Sequence, residues 1–272
     1  MQPYFKYFPR NSFVHKLDPR TKLFLLITYI FLAILFTDVR ILMLILISAI
    51  IIYLAAKLPF KENIGTWKFL AFSMIFLMAI LNLISPYGAK VENPHIIFKF
   101  WIFALSWEGI FLSLAAVLRF LSGAIISMVF IMSTDPSLFA PAAAGLKIPD
   151  KGAFVFDLAL RWVPSYVDDL FKTINAQMAR GYKIGSGKGI ISKIIMAVPL
   201  VLPVTMKGIL SVHDVSDAME LRGFGYKKCR TWYREVKMTK KDYFAILLMI
   251  ITVILGYWLK INMFPSYWLP IS

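Results

Sequence analysis

Apolar positions along this chain gather into long runs instead of alternating: Leu23–Phe36, Ile41–Ala56, Phe69–Ile84, Gly109–Met132 and Tyr243–Trp258. A hydrocarbon core about 30 Å thick takes about 20 helical residues, with a range of about 17–25. The runs reach that length once their flanking Tyr, Trp, Lys and Arg residues, which suit a membrane interface, are added. Strands of alternating polarity do not recur, which argues against a barrel. The pattern predicts an all-α, polytopic membrane protein of about five transmembrane helices. The first run follows a long polar and aromatic stretch and has no small-residue cleavage site nearby, so it reads as a span and not as a removable signal peptide.

Charge adds an orientation. The chain has 272 residues, 59% of them hydrophobic, with 30 Lys+Arg against 15 Asp+Glu. In a membrane protein such an excess belongs to cytoplasmic loops, so nucleic acid is not an expected partner. Lys6, Arg10, Lys16, Arg20 and Lys22 precede the first span and place the N-terminus inside. The turn "TDVR" (37–40) is then outside, and Lys57, Lys61 and Lys68 mark the next loop as inside. The third span ends near "SPYG" (85–88), and an external segment with Trp101 and Trp107 is expected at the interface. Residues 1–132 thus hold four spans, 133–242 a cytoplasmic helical domain, and 243–272 a last span with an external C-terminus. The insertion carries 17 of the 30 basic and 10 of the 15 acidic residues. Within it, "IISKIIMAVPLVLPVTM" (190–206) is apolar, yet it holds Lys193, Pro199 and Pro203 between two basic flanks. It is expected as a buried helix of the cytoplasmic domain. The single cysteine, Cys229, excludes an internal disulfide and any CxxC metal site.

The stretch "MARGYKIGSGKGI" (178–190) raises the question of a nucleotide loop. A P-loop needs Gly, four residues, Gly-Lys and then Ser or Thr, whose hydroxyl ligates magnesium. Here Gly189 follows Gly187-Lys188, and Tyr182 stands where the first glycine belongs. The stretch has instead a partner 42 residues on. "AQMARGYK" (176–183) and "AMELRGFG" (218–225) share Ala-x-x-x-Arg-Gly-aromatic. Each ends an amphipathic pattern, Val167, Leu170, Phe171, Ile174 and Met178 in one and Ile209, Val212, Val215 and Met219 in the other. A proline, Pro164 or Pro203, is expected to open each helix, and the glycine to close it in the left-handed C′ position. An arginine at the tip of a stiff amphipathic helix suits a partner's groove, where its planar fork pairs with a carboxylate or caps carbonyls.

These two endings, with "LDPRTKL" (17–23), "LRFLSGAIISMVFIMSTDP" (118–136) and "LALRWVPSYVDDLFKTINAQMARG" (158–181), resemble the transmembrane T component of energy-coupling factor (ECF) vitamin and metal importers. The resemblance covers nearly the whole chain. That family's signature is Ala-Arg-Gly twice; Ala179-Arg180-Gly181 fits it, while Leu221-Arg222-Gly223 departs at its first residue. The resemblance implies a non-catalytic subunit in a bacterial or archaeal cell membrane. Two ABC-type ATPases would bind its long coupling helices through Arg180 and Arg222, a small membrane-embedded S component would capture substrate, and ATP and magnesium would belong to the ATPases. The chain would need no cofactor of its own, and Gly185–Gly189 would be a flexible turn between coupling helices.

Other features are weighed against that reading. His213, Asp214 and Asp217 have helical spacing but no fourth ligand, so a polar helix face is favoured over a metal site. "YVDDLF" (166–171) resembles the acidic motif of membrane prenyltransferases, which would make a membrane enzyme, but no second acidic pair follows. A self-contained secondary transporter would show inverted repeats and broken helices. Arg119 lies near the middle of the fourth run, where an arginine is costly unless it faces protein or water. It is expected to face neighbouring helices or the S component, Glu108 being the one obvious counter-ion.

Overall fold

The computed structural model describes residues 7–8, 10–60, 63–84, 96–100, 103–146, 149–182, 189–226, 236 and 238–262. Among the described residues eight α-helices follow one another: α1 (Pro19–Leu35), α2 (Val39–Ala55), α3 (Ile64–Ile84), α4 (Trp107–Ser133), the short α5 (Phe139–Ala144), α6 (Asp150–Ala179), α7 (Ile190–Leu221) and α8 (Lys240–Asn262). The fold is that of an all-α membrane protein with one short ornament. Between α3 and α4, β1 (Ile96–Phe100) pairs antiparallel with β2 (Phe103–Ser106). The β-branched and aromatic composition of "IIFKF" accounts for an extended ribbon in the segment expected at the interface. Trp101, Cys229 and most of the Gly185–Gly189 turn lie outside the described residues.

The chain divides into two compact units, Pro136–Glu235 with Met1–Phe5, and Lys6–Asp135 with Val236–Ser272. In the second unit α4 packs against α1, α2 and α3, while α8 packs along α1. Its core is the α2–α4 seam, where Ala49, Tyr53, Ile125, Ile126 and Val129 are buried. Small residues bring the helices close: Ala49 and Ser122 are fully buried, and a Cβ on Gly256 of α8 would stand 2.9 Å from Leu32 of α1. Large apolar side chains cover the outside, including Phe69, Phe72 and Ile75 of α3 and Ile254 and Trp258 of α8. That is the surface a lipid solvent accepts.

Polar groups fasten this bundle at its ends. Asp18 caps α1 by accepting from Arg20 N at 2.9 Å, with Pro19 in the first turn. Asp242 of α8, 1% exposed, accepts four hydrogen bonds. Asp18 N (2.9 Å) and Thr21 Oγ1 (3.1 Å) come from the start of α1, and Thr239 N (2.8 Å) and Oγ1 (2.6 Å) from its own helix entry. Lys22 Nζ donates to the Ser133 carbonyl at the end of α4, at 2.7 Å. The motif "LDPRTKL" is thus a junction that ties α1 to the first turn of α8 and the last turn of α4.

Arg119 of α4 faces α1. Its Nε donates to the Ala33 carbonyl at 2.7 Å and its second terminal nitrogen to the Phe36 carbonyl at 2.9 Å. Both oxygens belong to the C-terminal end of α1, where carbonyls lack helical partners and carry the negative end of the dipole. The guanidinium therefore finds its compensation in backbone oxygens; the Glu108 side chain lies outside the described residues.

Two expectations about the insertion are corrected. Pro164 does not open a helix: α6 begins at Asp150 and runs through it, and α7 begins at Ile190 and runs through Pro199 and Pro203. The apolar spacing continues on both sides of each proline, so one neighbouring surface is served by an unbroken helix despite the missing N–H. Nor is 190–206 buried. In the α7 segment that contains it, Ile191 is 75% exposed and Ile195 64%, while Val204 is buried. α6 covers a single stripe of α7, and among the described residues of their own unit nothing covers the rest. By length and composition, Ile194–Leu221 could cross a membrane, as could Gly109–Ser133 and Lys240–Asn262.

Candidate functional site

The two Arg-Gly endings have one geometry. At the end of α6, Gly181 N donates to the Met178 carbonyl (3.0 Å) and Tyr182 N to the Gln177 carbonyl (3.0 Å). At the end of α7, Gly223 N donates to Glu220 (2.8 Å) and Phe224 N to Met219 (2.9 Å). This pair of crossed bonds is the Schellman cap, with glycine at C′. The glycines need their identity for backbone reasons, since φ is +85° at Gly181 and +66° at Gly223 while a Cβ would meet nothing within 4 Å. Arg180 and Arg222 are the C-cap residues themselves, with φ, ψ of −83°, 7° and −88°, 8°. Both arginines are exposed, as are Ala179, Gly181, Leu221 and Gly223 around them.

The aromatic that follows each glycine turns back onto the other helix. Tyr182 Oη donates to the Met196 carbonyl of α7 at 2.6 Å. Phe224 packs on Phe154 of α6 with ring centroids 4.6 Å apart. Between these ends, Lys207 Nζ donates to Asp169 at 2.6 Å, and a Cβ on Gly208 would stand 2.8 Å from the Tyr166 ring. The Lys207 hydrogen bond holds the Asp169 carboxyl below its usual range, so one aspartate of "YVDDLF" serves the helix pair. The contacts pair residues 154 with 224, 166 with 208, 169 with 207 and 182 with 196, which is an antiparallel hairpin. Arg180 and Arg222 consequently stand at its opposite ends. From the level of Met196 to Arg222, at about 1.5 Å per residue, the tips are roughly 40 Å apart.

Outside the caps, the predicted apolar stripe is only partly covered within the chain. Phe171 and Met178 of α6 and Ile209 and Val212 of α7 are exposed, while Val215 and Met219 are half-buried. His213, Asp214 and Asp217 are exposed on α7.

The comparisons now decide the family. The family described as Cobalt transport protein (CbiQ) matches residues 10–233, from the α1 junction through both caps. The chain belongs to this family of ECF transmembrane T components. It is 30% identical over 256 residues to the energy-coupling factor transporter transmembrane protein EcfT of Lactobacillus helveticus, covering 91% of this chain and 90% of that one. It is 26% identical to EcfT of Lactococcus lactis subsp. cremoris, with 94% and 97% covered, and 28% identical to EcfT of Bacillus subtilis, with 94% and 97%. This T component is accordingly the energy-coupling membrane subunit of an ECF transporter. Its caps were legible as a repeat, but the roles of Tyr182, Phe224 and Gly208 were not, because each depends on the facing helix. Asp242 does carry a local signal, Thr-x-x-Asp ahead of an apolar run.

Proposed function

We propose that this T component links two ABC-type ATPases to a small membrane-embedded S component of an ATP-driven importer for a micronutrient, a vitamin or a metal ion. Arg180 and Arg222 are the attachment points, one for each ATPase. The observation that carries this reading is the pair of equivalent caps, each holding an exposed arginine on a stiff helix end, at opposite ends of one hairpin. A separation of roughly 40 Å suits two subunits standing side by side. ATP and magnesium belong to the ATPases, and the T component performs no chemistry. Movement of the ATPases displaces one tip relative to the other, and the hairpin transmits that displacement. The open apolar flank of α7 is the surface a small hydrophobic S component would cover. The coupling helices and the N-terminus lie on the cytoplasmic side, in keeping with the basic residues that surround them.

Affinity purification of the tagged full-length chain from its own membranes tests this. Two ABC ATPase chains and one small hydrophobic protein should come with it, and ATP-dependent uptake should need all of them. A chain that purifies alone and transports or turns over a substrate by itself would overturn the proposal.

A further inference from the structure

A groove of about 850 Å³ opens beside the α1–α8 contact, walled by Leu25 and Leu32 of α1, Ile52 of α2 and Leu248 of α8. Of the hydroxyls along it, those of Tyr29, Ser48 and Thr252 are already engaged. Tyr29 Oη is hydrogen-bonded to Ser48 Oγ at 2.8 Å, and Thr252 Oγ1 donates to the Met249 carbonyl at 2.7 Å. Along these walls a polar solute would find little to bind, whereas an alkyl chain would lose little by entering. One end of the groove differs: Lys22, Lys240 and Lys241 line it. Lys22 is committed to the Ser133 carbonyl, but Lys240 and Lys241 are exposed and have no ion pair among the described residues. The neighbouring Asp242 directs its oxygens to Asp18, Thr21 and Thr239, and the Lys22 charge beside it offsets its own. From Lys240 to Thr252, at about 1.5 Å per residue, the groove follows α8 for about 18 Å, close to half of a hydrocarbon core about 30 Å thick.

We propose that this groove is a site for one anionic phospholipid, an acyl chain lying against α1, α2 and α8 and the phosphate at Lys240 and Lys241. The depth matches a single leaflet, and basic pockets between membrane helices favour anionic headgroups. The lipid fills the gap beside the α1–α8 seam that Asp242 closes at its end.

Native mass spectrometry of the full-length chain, titrated with phosphatidylglycerol or phosphatidylcholine, tests the site. One phosphatidylglycerol should be retained at least about 10-fold better than phosphatidylcholine, a preference that falls as salt rises. Inorganic phosphate should not compete. Lys240→Gln/Lys241→Gln should remove the preference but leave weak binding of both lipids, and Leu248→Trp should remove tight binding of both. Equal retention of the two lipids, a salt-independent preference, or undiminished phosphatidylglycerol binding in well-folded Leu248→Trp would each overturn the proposal. The salt titration needs no variant and stands even if a substituted chain fails to fold.

Discussion

At the scale of the residue, single side chains and single φ angles decide what each helix end presents. Gly181 and Gly223 sit at positive φ with open space around them, so alanine there meets strain and no clash. Gly181→Ala and Gly223→Ala should each cost about 1 kcal/mol or more of local cap stability, and asparagine, which tolerates the left-handed region, should cost less. Hydrogen exchange over the last turn of α6 or α7 reads this; protection unchanged in both alanine variants would contradict the cap assignment. Arg119 is the corresponding case inside the membrane bundle. Arg119→Leu removes two charged hydrogen bonds, each of about 1.5–3 kcal/mol, and leaves the Ala33 and Phe36 carbonyls bare. A clear fall in the detergent melting temperature is expected, and lysine should restore only part because it cannot fork across two oxygens. Full stability of Arg119→Leu would mean that these contacts contribute nothing.

At the scale of the element, the same reasoning concerns how helices are fastened in pairs. Asp242 accepts only from donors, so Asp242→Asn turns an amide N–H₂ toward at least one of them and loosens the start of α8 from α1. Buried, charge-assisted contacts of this kind make a lower melting temperature the expected result, with α8 becoming the first helix open to protease; unchanged proteolysis would contradict the junction. The α6–α7 hairpin is fastened by its aromatics. Tyr182→Phe loses one hydrogen bond of about 0.5–1.5 kcal/mol, and Phe224→Ala loses an aromatic pair of similar size together with its buried area. Either variant should loosen the tip it follows and lower the coupling of ATP hydrolysis to uptake while both arginines remain. Coupling at the level of the unsubstituted chain in the double variant would show that the latches are dispensable.

At the scale of the whole molecule, what could be read from the chain was what local chemistry determines. Long apolar runs marked α1 to α4 and α8, of which α4 and α8 are long and apolar enough to cross a membrane, and Arg-Gly-aromatic marked both helix ends because a Schellman cap is built from neighbours in sequence. The Asp242 junction joins residues separated by 224 positions, and no local pattern pairs them. Pro164 and Pro203 misled because a proline signals a boundary only where the flanking apolar pattern also stops. The exposure of α7 was hidden for another reason: apolar composition demands a cover without saying whether the same chain supplies it. Under the proposed function, such a flank and the two exposed arginines are completed by partner subunits. The most direct test therefore compares ATPase copurification and substrate uptake for Arg180→Ala, Arg222→Ala and the double variant at matched membrane levels. Each single variant should weaken ATPase attachment by roughly 10- to 100-fold, as loss of a charged hydrogen bond implies, and the double variant should release the ATPases or leave hydrolysis uncoupled from uptake. Normal attachment and uptake in a well-expressed double variant would contradict the account and leave both arginines as helix caps.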